Sequence, residues 1–185
     1  EFAAGEERAA ATGTTWSAYG LNLREAHVIT RFMRGEWDAA EAAAEIAGES
    51  VSAVVATRLA AADLLTAVGR GRFAATERRL EELRDSAPVD EQVVLLVGQA
   101  GAEAALWQGR PDGAARRARE AIAGLAGTST QPVPHLGGIL LGALGAAAHA
   151  DMAATGLQPV EEATAAAREM VEIAERAAKG GLPRA

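Results

Sequence analysis

The sequence predicts an all-α protein built from antiparallel helical hairpins. Alanine, the best helix former, supplies about a quarter of the residues. Aromatic residues are only 4%, so few strand-forming side chains are present. Three short turns, 36 and 38 residues apart, separate stretches of helix length: Gly35-Glu36-Trp37, Gly71-Arg72-Phe73 and Gly109-Arg110-Pro111. This repeat length is typical of stacked helical hairpins, none of which buries its apolar face alone, and we expect about eight to nine helices.

Local signals place the helices of the first two predicted units, which span about 15–49 and 50–88. Helices are expected over 15–34 and 37–48. Ser50 or Ser52 offers an N-cap for the next helix, since a serine side chain can accept a hydrogen bond from a free N–H of the first turn. Its partner helix begins after the second turn and ends before Pro88, which cannot continue a helix.

The remaining two predicted units span about 90–126 and 135–180. Asp90 is expected to cap the first helix of the third unit, and Pro111 to start its partner, where a missing N–H is harmless. Residues 127–134 are predicted to be a loop because they are rich in Gly, Ser, Thr and Pro. The fourth pair, with helices expected over 136–155 and 159–179, lacks the Gly-x-aromatic turn, as expected for a terminal capping repeat. Gly180 and Gly181 should end it, and Pro183 should prevent its resumption.

The domain organisation follows from the same pattern. A repeat array grows by adding units, so residues 15–185 are predicted to form a single helical-repeat domain. Residues 1–14 are interpreted as an N-terminal flank, and its first two residues, Glu1-Phe2, are typical of a cloning remainder.

Charge and composition exclude several classes of partner. The net charge of −7 argues against nucleic acid, because phosphate binding needs a basic face. The arginines lie near carboxylates at helical spacing, which is typical of solvated helix faces: Arg78 with Glu82, Asp112 with Arg116, and Arg116 with Glu120. Arg117 and Arg119 belong to the same predicted face. The chain has no cysteine, which excludes disulfides and thiolate metal sites.

One apolar run, 136–148, has 13 residues, fewer than the roughly 20 that a bilayer requires. Its Gly138 and Gly142 have the spacing that allows close helix packing, so we predict a buried central helix and no membrane partner. Charged residues interrupt any secretory signal near the N-terminus, and a cytoplasmic location is expected.

The sequence contains no pattern expected for catalysis. The only lysine, Lys179, is followed by two glycines, so a phosphate-binding loop is excluded. His27, His135 and His149 are too dispersed to predict a metal site, and a lone helical histidine is more often a surface or hydrogen-bonded residue. The glutamate pairs Glu41–Glu45 and Glu77–Glu81 are interpreted as solvated faces. We therefore expect no enzyme activity, no cofactor and no metal.

The second helices carry a resemblance to tetratricopeptide repeats. Small residues occupy one motif position, Ala40, Thr76 and Ala114, and the position seven residues on holds Ala47, Leu83 and Ala121. The terminal proline of the motif is matched by Pro88. The chain thus resembles a degenerate tetratricopeptide array over about 15–125, although its first helices lack the usual Trp and Tyr. This resemblance implies a right-handed solenoid whose first helices line a concave face.

A candidate recognition surface lies on that face. Trp107 is two residues before a turn, and Gln99 and Glu103 are its polar neighbours on the same helix. An aromatic residue with polar neighbours is typical of a binding hot spot. The first helices of earlier units extend the predicted partner-binding set with Asn22, Glu25 and Arg58. Packing of Trp107 in the core is the alternative, and the sequence favours it, as it favours packing of Trp37 and Phe73 within the turns.

Two longer phrases, 71–80 (GRFAATERRL) and 105–114 (ALWQGRPDGA), resemble the helical-repeat region of actinobacterial LuxR-type ATP-dependent regulators, which are similar in architecture to MalT. Residues 145–151 (GAAAHAD) are similar to the last repeats of that region. The resemblance implies a non-catalytic interaction or effector-sensing segment between a nucleotide-binding module and a helix-turn-helix. Its expected partners are a protein or small-molecule inducer on the concave face, and other domains of the parent protein. A free-standing tetratricopeptide-like scaffold that binds a peptide or protein is the alternative.

Overall fold

The structure is a computed structural model that describes residues 2–46, 48–84, 90–128 and 137–180. Within these residues every regular element is an α-helix, which confirms the predicted all-α class. The nine helices in this part of the chain are α1 (Phe2–Ala11), α2 (Ala18–Met33), α3 (Trp37–Ala44), α4 (Ala53–Gly69), α5 (Phe73–Leu83), α6 (Glu91–Trp107), α7 (Pro111–Thr128), α8 (Gly137–Ala154) and α9 (Val160–Gly180).

The helices form two compact units, Glu1–Arg72 and Phe73–Ala185, and each is described by itself. In the first unit α2 packs against α1, α3 and α4, and α3 also contacts α4. In the second unit each helix from α5 to α9 packs against the next, and α6 also contacts α8. Contacts between successive helices, and between the first helices of successive pairs, are those expected of stacked hairpins. One right-handed solenoid and one domain over 15–185 stay predictions.

The three predicted turns share one backbone geometry. Gly35, Gly71 and Gly109 have φ of 75°, 69° and 66°, values that side chains other than glycine rarely adopt. Each glycine N–H donates to the carbonyl three residues earlier at 2.9 Å, and the following N–H donates to the carbonyl five residues earlier at 2.9 Å. These two bonds satisfy carbonyls that the end of a helix leaves free. The repeat recognised in the sequence is therefore a repeated helix-ending motif.

The fourth pair, α8 and α9, has the same helix ending although its sequence differs. Gly156 has φ of 71°, and Leu157 N–H donates to the carbonyl of Met152 at 2.9 Å. The predicted break between Thr155 and Pro159 is confirmed, and Gly156 ends α8 although no aromatic residue follows it. Here α9 begins four residues after the glycine, whereas the partner helix begins two residues after it in the first three turns.

The N-terminal residues that were predicted to be a flank contain α1, which packs against α2 in the first unit. The ring of Phe2 stacks on the ring of His27 at 5.7 Å between centroids. The Nδ1 atom of His27 lies 2.8 Å from the Oε1 atom of Glu6. Residues 2–11 therefore contribute to the packing of this unit.

The expected helix caps are present where the structure describes them. The Ser52 hydroxyl accepts from the N–H of Val55 at 3.4 Å, which decides between the two predicted serines. The Asp90 carboxylate accepts from the N–H groups of Gln92 and Val93 at 2.9 and 3.2 Å. Both side chains satisfy donors that the first helical turn leaves without a partner.

Two predicted helix ends were wrong. Helix α3 ends at Ala44, not at 48, because the Arg24 guanidinium donates to the carbonyls of Ala43 and Glu45 at 2.7 and 2.6 Å and so replaces a further turn. Helix α7 continues to Thr128, so the first two residues of the predicted loop are helical. Other predictions fall outside the described residues, namely those on Ala47, Pro88, 129–136, Gly181 and Pro183.

Helix α8 confirms the predicted close packing. A Cβ atom added to Gly138 would lie 3.2 Å from the Cβ of Ala177 on α9, and one added to Gly142 would lie 2.6 Å from the carbonyl oxygen of Met170. Eight of its 18 residues are buried, whereas Ile139 and Leu140 are exposed, so the helix is buried on one side only. Among the described helices α8 alone has the length and composition of a bilayer-spanning helix, and core helices of soluble proteins share both features.

Candidate partner-binding face

The predicted recognition residues of the second unit lie on one face of α6. Gln99, Glu103 and Trp107 are four residues apart, and each step of four rotates by only about 40° around a helix. Trp107 is the last residue of α6 and is 74% exposed. The core-packing alternative for Trp107 is therefore wrong. The contacts of this end of α6 are made by Ala104 and Ala105, which are fully buried.

Glu103 is a partly buried carboxylate. The Gln99 amide donates to its Oε1 atom at 3.0 Å. Burial raises the pKa of Glu103 above its usual range, and the hydrogen bond from Gln99 offsets only part of that rise. Within the described part of the chain, no Lys, Arg or His forms an ion pair with Glu103.

The other three predicted site residues lie in the first unit. Glu25 is only 3% exposed, and its Oε2 atom is 2.6 Å from the Nη2 atom of Arg58. This ion pair joins α2 to α4 and leaves little of Glu25 for a partner. Asn22, by contrast, is exposed on α2.

The exposed apolar residues beside Asn22 were not among the predicted site residues. Tyr19 and Met33 are 69% and 77% exposed on α2. The signal was present, because positions 19, 22, 26, 29 and 33 have the three- and four-residue spacing of one helix face and carry no charge. The first unit therefore also has an uncharged, partly exposed helix face.

Glu77 is an ion-pair centre, where the sequence predicted a solvated carboxylate. Its two oxygens accept from Arg117 at 2.6 Å and from Arg110 at 2.7 Å. The Arg117 hydrogen bond lowers the pKa of Glu77 below its usual 4.5, Arg110 lowers it further, and burial opposes both. Arg117 also donates to the carbonyl of Gly101 at 3.0 Å, so it joins α5, α6 and α7. The solvated-face prediction was wrong for Glu77 and Arg117.

Of the three predicted exposed ion pairs, all within the described residues, only that of Arg116 with Glu120 is present, and Asp112 does not pair with Arg116. Arg116 lies 3.8 Å from Glu120, one turn away, as expected of a solvated helix face. Glu82, however, pairs with Arg79 at 3.0 Å and not with the predicted Arg78.

His149 is buried, at 2% exposed, and both of its ring nitrogens have partners. Its Nε2 atom is 2.7 Å from the Nη2 atom of Arg119, and its Nδ1 atom is 2.9 Å from the Oε1 atom of Gln158. Arginine can only donate, so Nε2 accepts and the proton lies on Nδ1, which donates to Gln158. Arg119 is thus a tertiary contact of the second unit and not part of a solvated face. No three His, Asp or Glu side chains in the described ranges come together as a metal site.

A small groove lies between α5, α6 and α7, with a volume of about 260 Å³. Gly98, Gly101 and Gly124 lie along it, and its charged groups include Arg117, which is already paired with Glu77. Larger grooves, of about 540 and 400 Å³, lie along α8 and α9 and along α1 and α2. We place the candidate site on the open face of α6 because three of the predicted partner-binding residues lie together there.

The Glu77 ion pairs predict a pH-dependent stability. A carboxylate whose pKa is lowered by folding stabilises the protein above its unfolded pKa, and this contribution disappears as the pH falls through the folded pKa. Glu77→Gln should lower the free energy of unfolding by about 1 kcal/mol at pH 7, a modest value because the side chain is partly exposed. The difference from wild type should shrink below about pH 4. Denaturant unfolding across this pH range checks the prediction.

Glu81→Gln is the matched control, because Glu81 is 62% exposed and its ion pair is with Arg84, three residues away. It should change stability by less than about 0.5 kcal/mol. Equal effects of the two substitutions would contradict a special role for Glu77.

Comparisons with protein-family models, curated proteins and solved structures found no match to this chain. The fold and the site define it as an all-α protein with an exposed Trp and a partly buried carboxylate on one helix face.

Proposed function

We propose that this chain is a non-catalytic, partner-binding segment of a larger LuxR-type ATP-dependent transcriptional regulator. The observation that carries the binding role is the face of α6, on which a 74% exposed Trp107 follows the partly buried Glu103 and Gln99. Large exposed aromatic side chains with polar neighbours are enriched among the residues that dominate binding energy. The assignment to a regulator rests on the sequence resemblance of 71–80 and 105–114.

The proposed partner is a polypeptide. Small-molecule sites bury most of their ligand in a concave pocket, whereas Trp107 projects from an open helix face. Extended faces of this kind suit a segment of another protein or of another domain of the parent chain. A small-molecule inducer is the other outcome that the binding experiments distinguish.

The charged clusters support a binding role over a catalytic one. The carboxylate of Glu77 is engaged by two arginines, and both nitrogens of His149 are engaged by Arg119 and Gln158. Groups held in this way join helices, so their contacts account for them without a catalytic role.

The first test uses the parent gene and the full-length regulator. The coding sequence around this segment should encode a phosphate-binding loop upstream and a helix-turn-helix downstream. In the full-length protein, Trp107→Ala should weaken partner binding by about 1 to 3 kcal/mol, with the melting temperature unchanged. Isothermal titration with the identified partner measures this change.

Val160→Ala is the control, since Val160 is an exposed apolar residue at 67% on α9, a different helix of the same unit. It should leave the same affinity unchanged. A coding sequence without both flanking modules would favour a free-standing scaffold. Unchanged partner binding by Trp107→Ala would overturn the role of the α6 face.

The proposal also predicts what the isolated chain does not do. It should neither hydrolyse ATP nor bind duplex DNA more tightly than about micromolar at about 150 mM salt, because nonspecific binding requires unpaired basic groups. Arg110, Arg117 and Arg119 are engaged by Glu77 and His149, and the net charge is −7. Fluorescence anisotropy with a labelled duplex checks the DNA half, and submicromolar binding would contradict it.

A further inference from the structure

The charges on the α6 face indicate the chemistry of the partner. We propose that Gln99, Glu103 and Trp107 bind a cationic side chain of a partner polypeptide, a lysine ammonium or an arginine guanidinium. This inference rests on the proposed function in one respect only, that the partner binds this face.

Among the described residues, Glu103 differs from the shielded carboxylates of Glu25 and Glu77 in lacking a cation. Glu25 lies 2.6 Å from Arg58, and Glu77 accepts from both Arg117 and Arg110. The described residues provide Glu103 with one partner, the neutral amide of Gln99. A carboxylate removed from water without a cation destabilises a protein, and burial accordingly raises its pKa. A cation from a partner would give Glu103 the ion pair that Glu25 and Glu77 form with arginines of this chain.

Gln99 orients the carboxylate for such a ligand. Its amide donates to Oε1 at 3.0 Å, and no described residue provides a hydrogen bond to Oε2. The Oε2 atom is not fully enclosed by protein, so it is within reach of solvent. One oxygen is therefore held in place and the other is available to an N–H donor.

Trp107 supplies the second element of cation recognition. It lies one helical turn after Glu103 and is 74% exposed, so its indole ring is free to cover the ligand. Among aromatic rings, indole attracts a cation most strongly, and the attraction grows when water is excluded. The net charge of −7 favours the approach of a cationic segment over an anionic one.

The test uses a tetra-arginine peptide blocked at both ends, with the tetra-citrulline peptide as a neutral control of nearly the same shape. The chain has three tryptophans, so three indole N–H signals are expected in a ¹⁵N-correlated NMR spectrum. Trp107→Phe identifies the Trp107 signal by its loss. The arginine peptide should move that signal saturably at about 150 mM salt, and the citrulline peptide should not.

Glu103→Gln should weaken binding of the arginine peptide about tenfold, since a charge-assisted hydrogen bond contributes roughly that much. Glu169→Gln, which removes the same charge from an exposed position on α9, should leave affinity within about twofold. Equal weakening by both variants, or no movement of the Trp107 signal, would overturn the cationic-ligand proposal.

Unfolding does not explain the expected loss of binding by Glu103→Gln. Because burial raises the pKa of Glu103, the charged form opposes folding above that pKa, and the neutral amide removes this penalty. The variant should therefore melt at the same temperature as wild type, or higher, at pH 7. A variant that melts lower and binds less would assign Glu103 to folding and overturn its role as a ligand.

The result is also separable from the proposed function. If Trp107→Ala abolishes binding of the natural partner while the arginine peptide does not bind, the partner-binding role is supported and the cationic-ligand proposal is overturned. If the arginine peptide binds through Glu103 but the natural partner does not bind the α6 face, the cation site is supported and the proposed function is overturned.

Discussion

Gly142→Ala should destabilise the second unit by about 3 kcal/mol, near the upper end of the range for overpacked cores. The added Cβ would lie 2.6 Å from the carbonyl oxygen of Met170 and 3.0 Å from the Cβ of Ala174. The nearest of these atoms belongs to backbone, so no side-chain rotation relieves the contact and α8 must move away from α9. Met170, which is 1% exposed, would lose contacts in that movement. Denaturant unfolding followed by circular dichroism measures the change.

Gly127→Ala is the control for this substitution. Gly127 is also helical, near the end of α7, and a Cβ added there meets no atom within 4 Å. Alanine favours helix more than glycine does, so the control should stabilise the protein by up to about 1 kcal/mol. If both variants unfold at the wild-type denaturant concentration, α8 and α9 do not approach as closely as the structure indicates.

Gly98→Ala should destabilise the same unit by about 2 to 3 kcal/mol, because its Cβ would overlap with the Cβ of Ala121. Gly98 lies in the middle of α6 and Ala121 on α7, and the two helices pack against each other here. A glycine inside a helix costs about 1 kcal/mol relative to alanine, so its presence at this position is explained by the close approach.

Moving the methyl group from one helix to the other tests this explanation directly. Ala121→Gly in the Gly98→Ala background restores one methyl at the interface, and it should recover about 2 kcal/mol of the stability lost. The recovery is measured by a double-mutant cycle with both single variants. Additive losses in the double variant would show that the two positions are not in contact.

The features that the sequence predicted are those with a local cause. Gly35, Gly71 and Gly109 end helices because positive φ is strained in other residues, and Asp90 caps α6 because its carboxylate reaches N–H groups two and three residues away. The spacing of Gly138 and Gly142 was likewise enough to predict a close helix contact, although only the structure identified α9 as the neighbour.

The candidate site was only partly predictable. Helical spacing placed Gln99, Glu103 and Trp107 on one face, but the exposure of Trp107 depends on which neighbouring helices reach the end of α6. Composition favoured burial for a tryptophan and was wrong. The separate roles of Glu25 and Glu103 could not be distinguished either, since the sequence does not indicate which glutamate meets an arginine of another helix.

By itself, the sequence determined that this protein is helical, where most of its described helices begin and end, and which residue types fill its core. Periodicity, caps and positive φ act over a few residues, and a single chain displays them directly. Only the tertiary structure decided the partners of the charged groups. Arg117 pairs with Glu77, 40 residues away, and Arg24 ends α3 from 19 residues away. Such contacts depend on how helices approach one another. No local sequence pattern indicates which two side chains will meet there.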